Sequence, residues 1–301
     1  MGYTGYSSTR SFATSSSYAT RSREEIFHHK SINNAMNPFG IPVRESRDSV
    51  EHPNSIAIKL NLDVTGSMGS VPEYLTKHGL VHIMDKIIKS GIPDPQILFA
   101  GVGDHECDHS PYQVGQFESG DELLFKWLTD LYLEAGGGGN AGESYLLAWY
   151  FAAFKTSIDC WEKRKQKGLL FTIGDEPCLK DLPARAIKTI FGDEQASNYT
   201  AEKLLEEAMK TYNVFHVHIK ETASGSRIHV IDGWKQLLHE NVIVANHRED
   251  VSDLIAETVV KHIKPSGQVS YKLDSNDPTI RESTPSDSID QEYKKSEEMM
   301  L

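Results

Sequence analysis

The chain has 301 residues, a formal charge of −12 and 39% hydrophobic residues. That length holds one large α/β domain or two ordinary ones with a sizeable core. The negative balance argues against a protein that coats nucleic acid or an anionic membrane, because its long-range field repels phosphate.

Residues 1–45 are rich in Ser, Thr, Tyr, Arg and Asn and lack hydrophobic periodicity, so they are expected to form a disordered or extended arm. The first strand is expected over Ser55 to Leu62, where Ile56, Ile58, Leu60 and Leu62 alternate with Ala57, Lys59 and Asn61. The run ends in DVTGSMG, residues 63–69. Ser70, Pro72 and Glu73 then mark a helix start, and the helix extends to about Ser90, before Gly91 and Pro93. A continuously apolar second strand, Gln96 to Val102, leads into the acidic stretch DHECDH, residues 104–109.

Gln113 to Phe117 reads as an edge strand and Asp121 to Tyr132 as an amphipathic helix. GGGGNAGES, residues 136–144, is a loop whose glycines permit tight folding. The block YLLAWYFAAF, Tyr145 to Phe154, is about half of the roughly 20 residues that cross a bilayer. It reads as a buried helix, and no membrane association is expected. LLFTIGDEP supplies the third strand, with Asp175 just past it. The alternation continues with a helix at 201–211, a strand at 214–219, a helix at 231–239, a strand at 242–245 and a helix at 250–263. The expected fold is a doubly wound, mostly parallel α/β sheet with right-handed connections and helices on both faces, over residues 46–265. Residues 266–301 are expected to form an acidic, flexible tail. Cys107, Cys160 and Cys178 are odd in number and unrelated in spacing, which suits neither a disulfide framework nor a zinc knuckle and points to the cytoplasm.

In such sheets ligands collect beyond the carboxyl ends of the strands, where strand order reverses. Asp63, Asp104 and Asp175 each follow a strand. An Asp at a strand end is also a common turn former, but the addition of Thr65 and Ser67 suggests a hard, oxygen-ligated cation. Here DVTGSM resembles the DxSxS element of the metal-ion-dependent adhesion site in von Willebrand factor A-type (VWA) domains, with Thr in place of the first Ser. Gly103-Asp104-His105 and the glycine-rich loop resemble the intracellular, bacterial-type branch of that family, whose sheet is Rossmann-like. The resemblance covers about residues 50–265 and implies Asp63, Thr65, Ser67 and Asp175 as ligands of Mg²⁺, with Mn²⁺ or Ca²⁺ as alternatives. Asp104 and His105 are then expected beside the ligands as supports.

The departure is in the second loop. Where adhesion-type members have Thr and the intracellular branch commonly has Asp, this chain has Asn140. Asn140 is read both as a metal ligand and as a helix cap reciprocated by Glu143, and Ser144 is a further hydroxyl able to replace the missing Thr. His216 and His218 are read as satisfied strand residues. DHECDH is weighed as a separate transition-metal or acid/base centre and set below a supporting role.

The functional expectation is a metal-dependent protein-binding or assembly module in which the ion captures a partner's carboxylate. By resemblance, an ATPase of the MoxR type or a larger assembly is the expected partner, and no nucleic acid is expected. Two alternatives stay open: a hydrolase using the same ion with His105 or His109, and a structural subunit whose metal only stabilises it. No phosphate loop, nucleophile elbow or dinucleotide fingerprint is present, and no catalytic residue is named.

Overall fold

Both sides of the central strands are covered, and that sets the architecture of this computed structural model. It describes residues 5–68, 70–134, 142–222 and 224–263, all within one compact unit, Met1–Ser266. Strands β1 (Ile56–Asp63), β2 (Pro95–Val102) and β4 (Gly168–Gly174) are buried along their whole length. With β3 (Tyr112–Val114), β5 (Tyr212–Ile219) and β6 (Val242–Ala245) they form a six-stranded sheet in the order β6-β5-β4-β1-β2-β3. Only β3 is antiparallel to its neighbour. This is the α/β, mostly parallel class expected from the alternation of strands and helices. The chain starts at the centre, adds β2 and β3 on one side, then returns to add β4, β5 and β6 on the other. Strand order therefore reverses between β1 and β4.

The face of β1 that looks polar in the sequence is also core. Lys59 and Asn61 are fully buried; Lys59 Nζ donates to Tyr112 Oη at 3.2 Å and lies 4.7 Å from the centre of the Phe151 ring. Tyr112 Oη donates to Asn61 Oδ1 at 3.3 Å, and Asn61 Nδ2 donates to the Phe171 carbonyl at 2.9 Å. Polar groups on a fully buried strand must find partners in this way.

Over residues 5–45 the N-terminal arm corrects the expectation of a disordered or extended segment. Helix α1 (Ser8–Tyr18) is capped by the Ser7 side chain. It lies against the helical segment that runs from Ser70 to Lys89, comprising Ser70–Tyr74, a π-helical turn at Leu75–Gly79, and α2 (Leu80–Lys89). It also lies against α3 (Asp121–Thr129). Tyr6 and Ser8 donate to Asp85 at 3.0 and 2.7 Å, and Arg10 forks onto buried Asp121 at 2.8 and 3.1 Å. Ser15 donates to the Lys77 carbonyl in the π turn, and Tyr18 stacks on Phe125 with ring centres 6.0 Å apart. Further on, Ile26, Phe27 and Met36 enter the core. Composition alone does not order this arm; polar side chains that meet fixed partners on the body do.

The longer helices that follow are α4 (Leu146–Phe154), α5 (Ala184–Phe191), α6 (Ala201–Ala208), α7 (Ile228–Leu238) and α8 (Asp250–His262). Helix α5, with a short antiparallel pair of strands, Asp181–Leu182 and Tyr199–Thr200, on either side of it in the chain, fills a stretch for which the sequence suggested no element. Short parallel pairing of Arg44–Ser46 with Thr156–Ile158 is locked by Arg47, which bonds Asp159 at 2.8 Å and Glu162 at 2.7 Å. Among the described residues no helix is long and apolar enough to cross a membrane. The tail beyond residue 265 lies outside the described residues.

Burial holds the Lys59 ammonium well below its ordinary titration range. The unfolded chain, titrating near pH ~10.4, binds a proton that the folded chain resists, so stability rises with pH below that point. Lys59→Met should therefore stabilise the protein by about 1–4 kcal/mol at pH 7, with the gap narrowing in urea melts repeated near pH 10. Docking of the arm predicts slow hydrogen exchange for the amides of residues 11–18, where an irregular arm exchanges at once.

Candidate functional site

Asp63 is the last residue of β1, and its Oδ1 shapes the turn that follows. It accepts from Thr65 N at 2.9 Å and from Thr65 Oγ1 at 2.5 Å, the local bonding by which an Asp turns a chain. The turn continues through a 3-10 segment, Gly66–Met68. Ser67 lies on that segment, and its side chain is outside the described residues. Asp63 Oδ2 accepts from Tyr145 Oη at 2.9 Å. The turn-forming role and a site role thus fall to different oxygens of one carboxylate.

Asp175 follows β4 directly and is fully buried. Because β4 pairs with β1 in parallel, with Leu62 opposite Ile173, the two acids stand at the carboxyl ends of adjacent central strands where strand order reverses. Burial, with the field of Asp175 added, lifts Asp63 to about 7 against the hydrogen bonds from Thr65 and Tyr145. The loop after Asp175 is tied down by Trp234 Nε1, which donates to the Glu176 carbonyl at 3.0 Å.

Asp104 and His105 follow β2 and bond to the second loop rather than forming a centre of their own. Ser144 Oγ lies 2.9 Å from His105 N, 2.7 Å from His105 Nδ1 and 3.3 Å from Asp104 Oδ1. Ser144 N also donates to the Gly103 carbonyl at 3.1 Å. Burial lowers His105 below the ordinary imidazole range. Within DHECDH, Asp108 accepts from Asp104 N at 2.7 Å. Among the described residues no three His, Cys, Asp or Glu side chains gather closely enough to hold an ion by themselves. The transition-metal alternative for this stretch therefore finds no support in the geometry.

Asn140 lies outside the described residues, and its expected reciprocation by Glu143 lies outside them too. Helix α4 begins at Leu146, three residues beyond Glu143. Glu143 itself is extended: its N donates to the Pro177 carbonyl at 2.8 Å, and its carbonyl accepts from Leu179 N at 3.0 Å. The residue is 6% exposed, and its Oε2 has no hydrogen-bond partner among the described residues. Burial, then the fields of Asp63, Asp108, Asp104 and Glu176, push it to about 10. Asp104 Oδ2 is a second buried oxygen with no hydrogen-bond partner among the described residues.

His216 and His218 behave as strand residues. His216 Nδ1 lies 2.9 Å from Thr172 Oγ1 and its ring stacks 3.5 Å from that of Trp234. His218 Nε2 donates to the Gly225 carbonyl at 2.8 Å. Burial pushes both imidazoles down, keeping them neutral.

Two site residues escaped the sequence reading. Tyr145 opens the apolar block and reads there as core, yet its hydroxyl reaches Asp63. Gly174 makes room for it: a Cβ at this position would stand 1.8 Å from Tyr145 Oη and 2.7 Å from Tyr145 Cζ. A glycine ending an otherwise apolar strand was the available signal. Gly174→Ala should cost about 1–3 kcal/mol by overpacking, read as a lower Tm. Combining it with Tyr145→Phe should recover part of that loss, because the closest atom is removed.

No protein-family model and no curated protein matches the chain. Among solved structures it is similar to the pilus adhesin SpaC of Lactobacillus rhamnosus GG, at 10% identity and a TM-score of 0.45 over 72% of this chain and 31% of the adhesin. It is also similar to the vWF domain of the type V pili tip protein Mfa5 of Porphyromonas gingivalis, at 10% identity and a TM-score of 0.45 over 77% of this chain and 99% of that domain. A third similarity is to a von Willebrand factor type A structure from Catenulispora acidiphila, at 12% identity and a TM-score of 0.36 over 69% and 43% of the two chains. The chain spans about a third of the pilus adhesin's length. At these scores the similarities carry neither a site nor a partner over to this chain.

Proposed function

We propose that the chain is a metal-dependent protein-binding module that holds Mg²⁺ at the β1/β4 edge and uses it to capture a partner's Asp or Glu. The observation that carries this reading is the pair of buried carboxylates, Asp63 and Asp175, at the ends of adjacent central strands with the Thr65 hydroxyl on the same turn. Two like charges buried side by side are costly unless a cation joins them. The donor set is all oxygen, which suits Mg²⁺, or Mn²⁺ or Ca²⁺, rather than the nitrogen and sulfur preferred by zinc.

Asp63, Thr65, Ser67 and Asp175 would hold the ion, with Asn140 as a further candidate. Asp104, His105, Glu143 and Ser144 stand behind them and fix the loops. When bound, the ion supplies a Lewis-acidic position for a carboxylate. With two charged ligands its charge is balanced, so a third carboxylate can approach without meeting net repulsion. A non-enzymatic role is part of the proposal. A cytoplasmic location, and an ATPase or assembly component as partner, belong to the same reading.

Mg²⁺ should raise the melting temperature of the wild type, with stabilisation of about 2.7 kcal/mol at a hundredfold excess over Kd, and should leave Asp63→Asn unmoved. Asp63→Ala should lose EDTA-sensitive partner capture while staying folded by circular dichroism. Capture that persists in that variant and in EDTA would refute the reading.

A further inference from the structure

We propose that the docked N-terminal arm regulates the metal edge: it holds the helical segment that follows the Thr65–Met68 turn in a π-wound form, and its release loosens that turn and lowers the affinity for the ion. The inference rests on the metal reading above and adds how the site is controlled.

The segment has two windings open to it. Ser70–Tyr74 and Leu80–Lys89 are α-helical, whereas Leu75–Gly79 between them is a π turn. A π turn carries an extra residue relative to the α winding around it, so converting one to the other moves the two α pieces past each other by one residue's step, about 1.5 Å and about 100°. The piece nearer the site starts at Ser70, two residues past Met68. Such a step therefore reaches the turn that carries Thr65 and Ser67. Coupling between distant places needs an element of this kind, with two arrangements that both places can bias.

The arm grips the segment along its length. Helix α1 lies on the π turn and on α2, and Arg23–Ile26 packs on Ser70–Tyr74. Ser15 donates to the Lys77 carbonyl within the π turn itself, while Tyr6 and Ser8 share Asp85 of α2 at 3.0 and 2.7 Å. The turn is also packed elsewhere: a Cβ on Gly79 would stand 2.8 Å from Leu75 Cδ2 and 3.4 Å from Ser252 Cβ of α8. Between arm and α8 the π winding is held in place.

The grip is light enough to open. The residues that α1 buries are Ser11 and Ser15, and its anchors are hydroxyl bonds, the Arg10 fork onto Asp121 and the Tyr18 stack. With no aliphatic side chain buried by α1, the arm can leave while the body stays folded. Ordering the turn before the ion arrives removes part of the cost of binding, which sets the sign: an arm in place means a tighter ion.

The test is hydrogen exchange by mass spectrometry together with Mg²⁺ calorimetry, on the full chain as wild type, Ser8→Asp/Arg10→Glu and Asp63→Asn. The double variant sets acids against Asp85 and Asp121 and should free the arm. We expect it to bind Mg²⁺ about tenfold more weakly, and Mg²⁺ to slow exchange at residues 11–18 of the wild type by a similar factor, because coupling is reciprocal. The field of the added negative charges alone would tighten the binding of a cation, so weaker binding reports the arm. Unchanged Mg²⁺ affinity in a variant whose arm exchanges freely overturns the inference and leaves the metal reading standing. A wild type that binds no Mg²⁺, or an Asp63→Asn variant that binds it equally well, overturns the metal reading and the inference with it. If the double variant keeps its arm as protected as the wild type does, these contacts are not the latch and the inference falls.

Discussion

A carboxylate buried at the end of the central strand must be solvated by the protein, and the surroundings of Asp63 are arranged around that requirement. One oxygen is held by the turn it creates, through the amide and hydroxyl of Thr65. The other is held by Tyr145, a residue from the far side of the second loop. Gly174 leaves the space through which that hydroxyl passes. These bonds lower the cost of burying the charge without removing it, since Asp175 lies close enough to add to the penalty. An edge built in this way remains short of positive charge, which is the ground of the metal-binding reading proposed above.

The wider fold keeps that edge rigid. The apolar helix α4 carries Tyr145 at its start and is buried on nearly every side, so the hydroxyl is placed by packing rather than by a mobile loop. Trp234 stacks on His216 in the sheet and donates to Glu176 beyond β4, which links the third loop to both α7 and β5. Ser144 does the same on the other side, joining the second loop to the segment after β2 by bonding Asp104 and His105. The charged groups at this edge are thus positioned by neutral aromatic, hydroxyl and imidazole partners. In a low-dielectric setting such partners orient carboxylates without neutralising them.

Much of the architecture was legible in the sequence because periodicity reports burial directly. Alternation in β1 and the unbroken apolar runs of β2 and β4 located the sheet, and the acids following them located its edge. The arm was misread because low hydrophobicity speaks only to what a segment can do alone. Arg10 and Tyr18 acquire their energies from Asp121 and Phe125, more than a hundred positions away. Helix α5 was missed because its eight residues give a short pattern between turn-forming stretches. At Glu143, which has the spacing of a capping partner, the chain is held extended by hydrogen bonds to the Pro177–Leu179 segment.

By itself the sequence determined the fold class, the chain order of the six strands of the central sheet, and the oxygen-bearing character of the DVTGS turn, since all of these follow from local pattern and residue chemistry. Only the tertiary structure decided that β1 and β4 are neighbours, which brings Asp63 and Asp175 to one edge across more than a hundred residues of chain. It also decided that Tyr145, a core residue by composition, donates to Asp63. The physical reason is the same in each case. Hydrogen bonds and charge interactions depend on distances of a few ångströms, and those distances are set by how the sheet is ordered and packed.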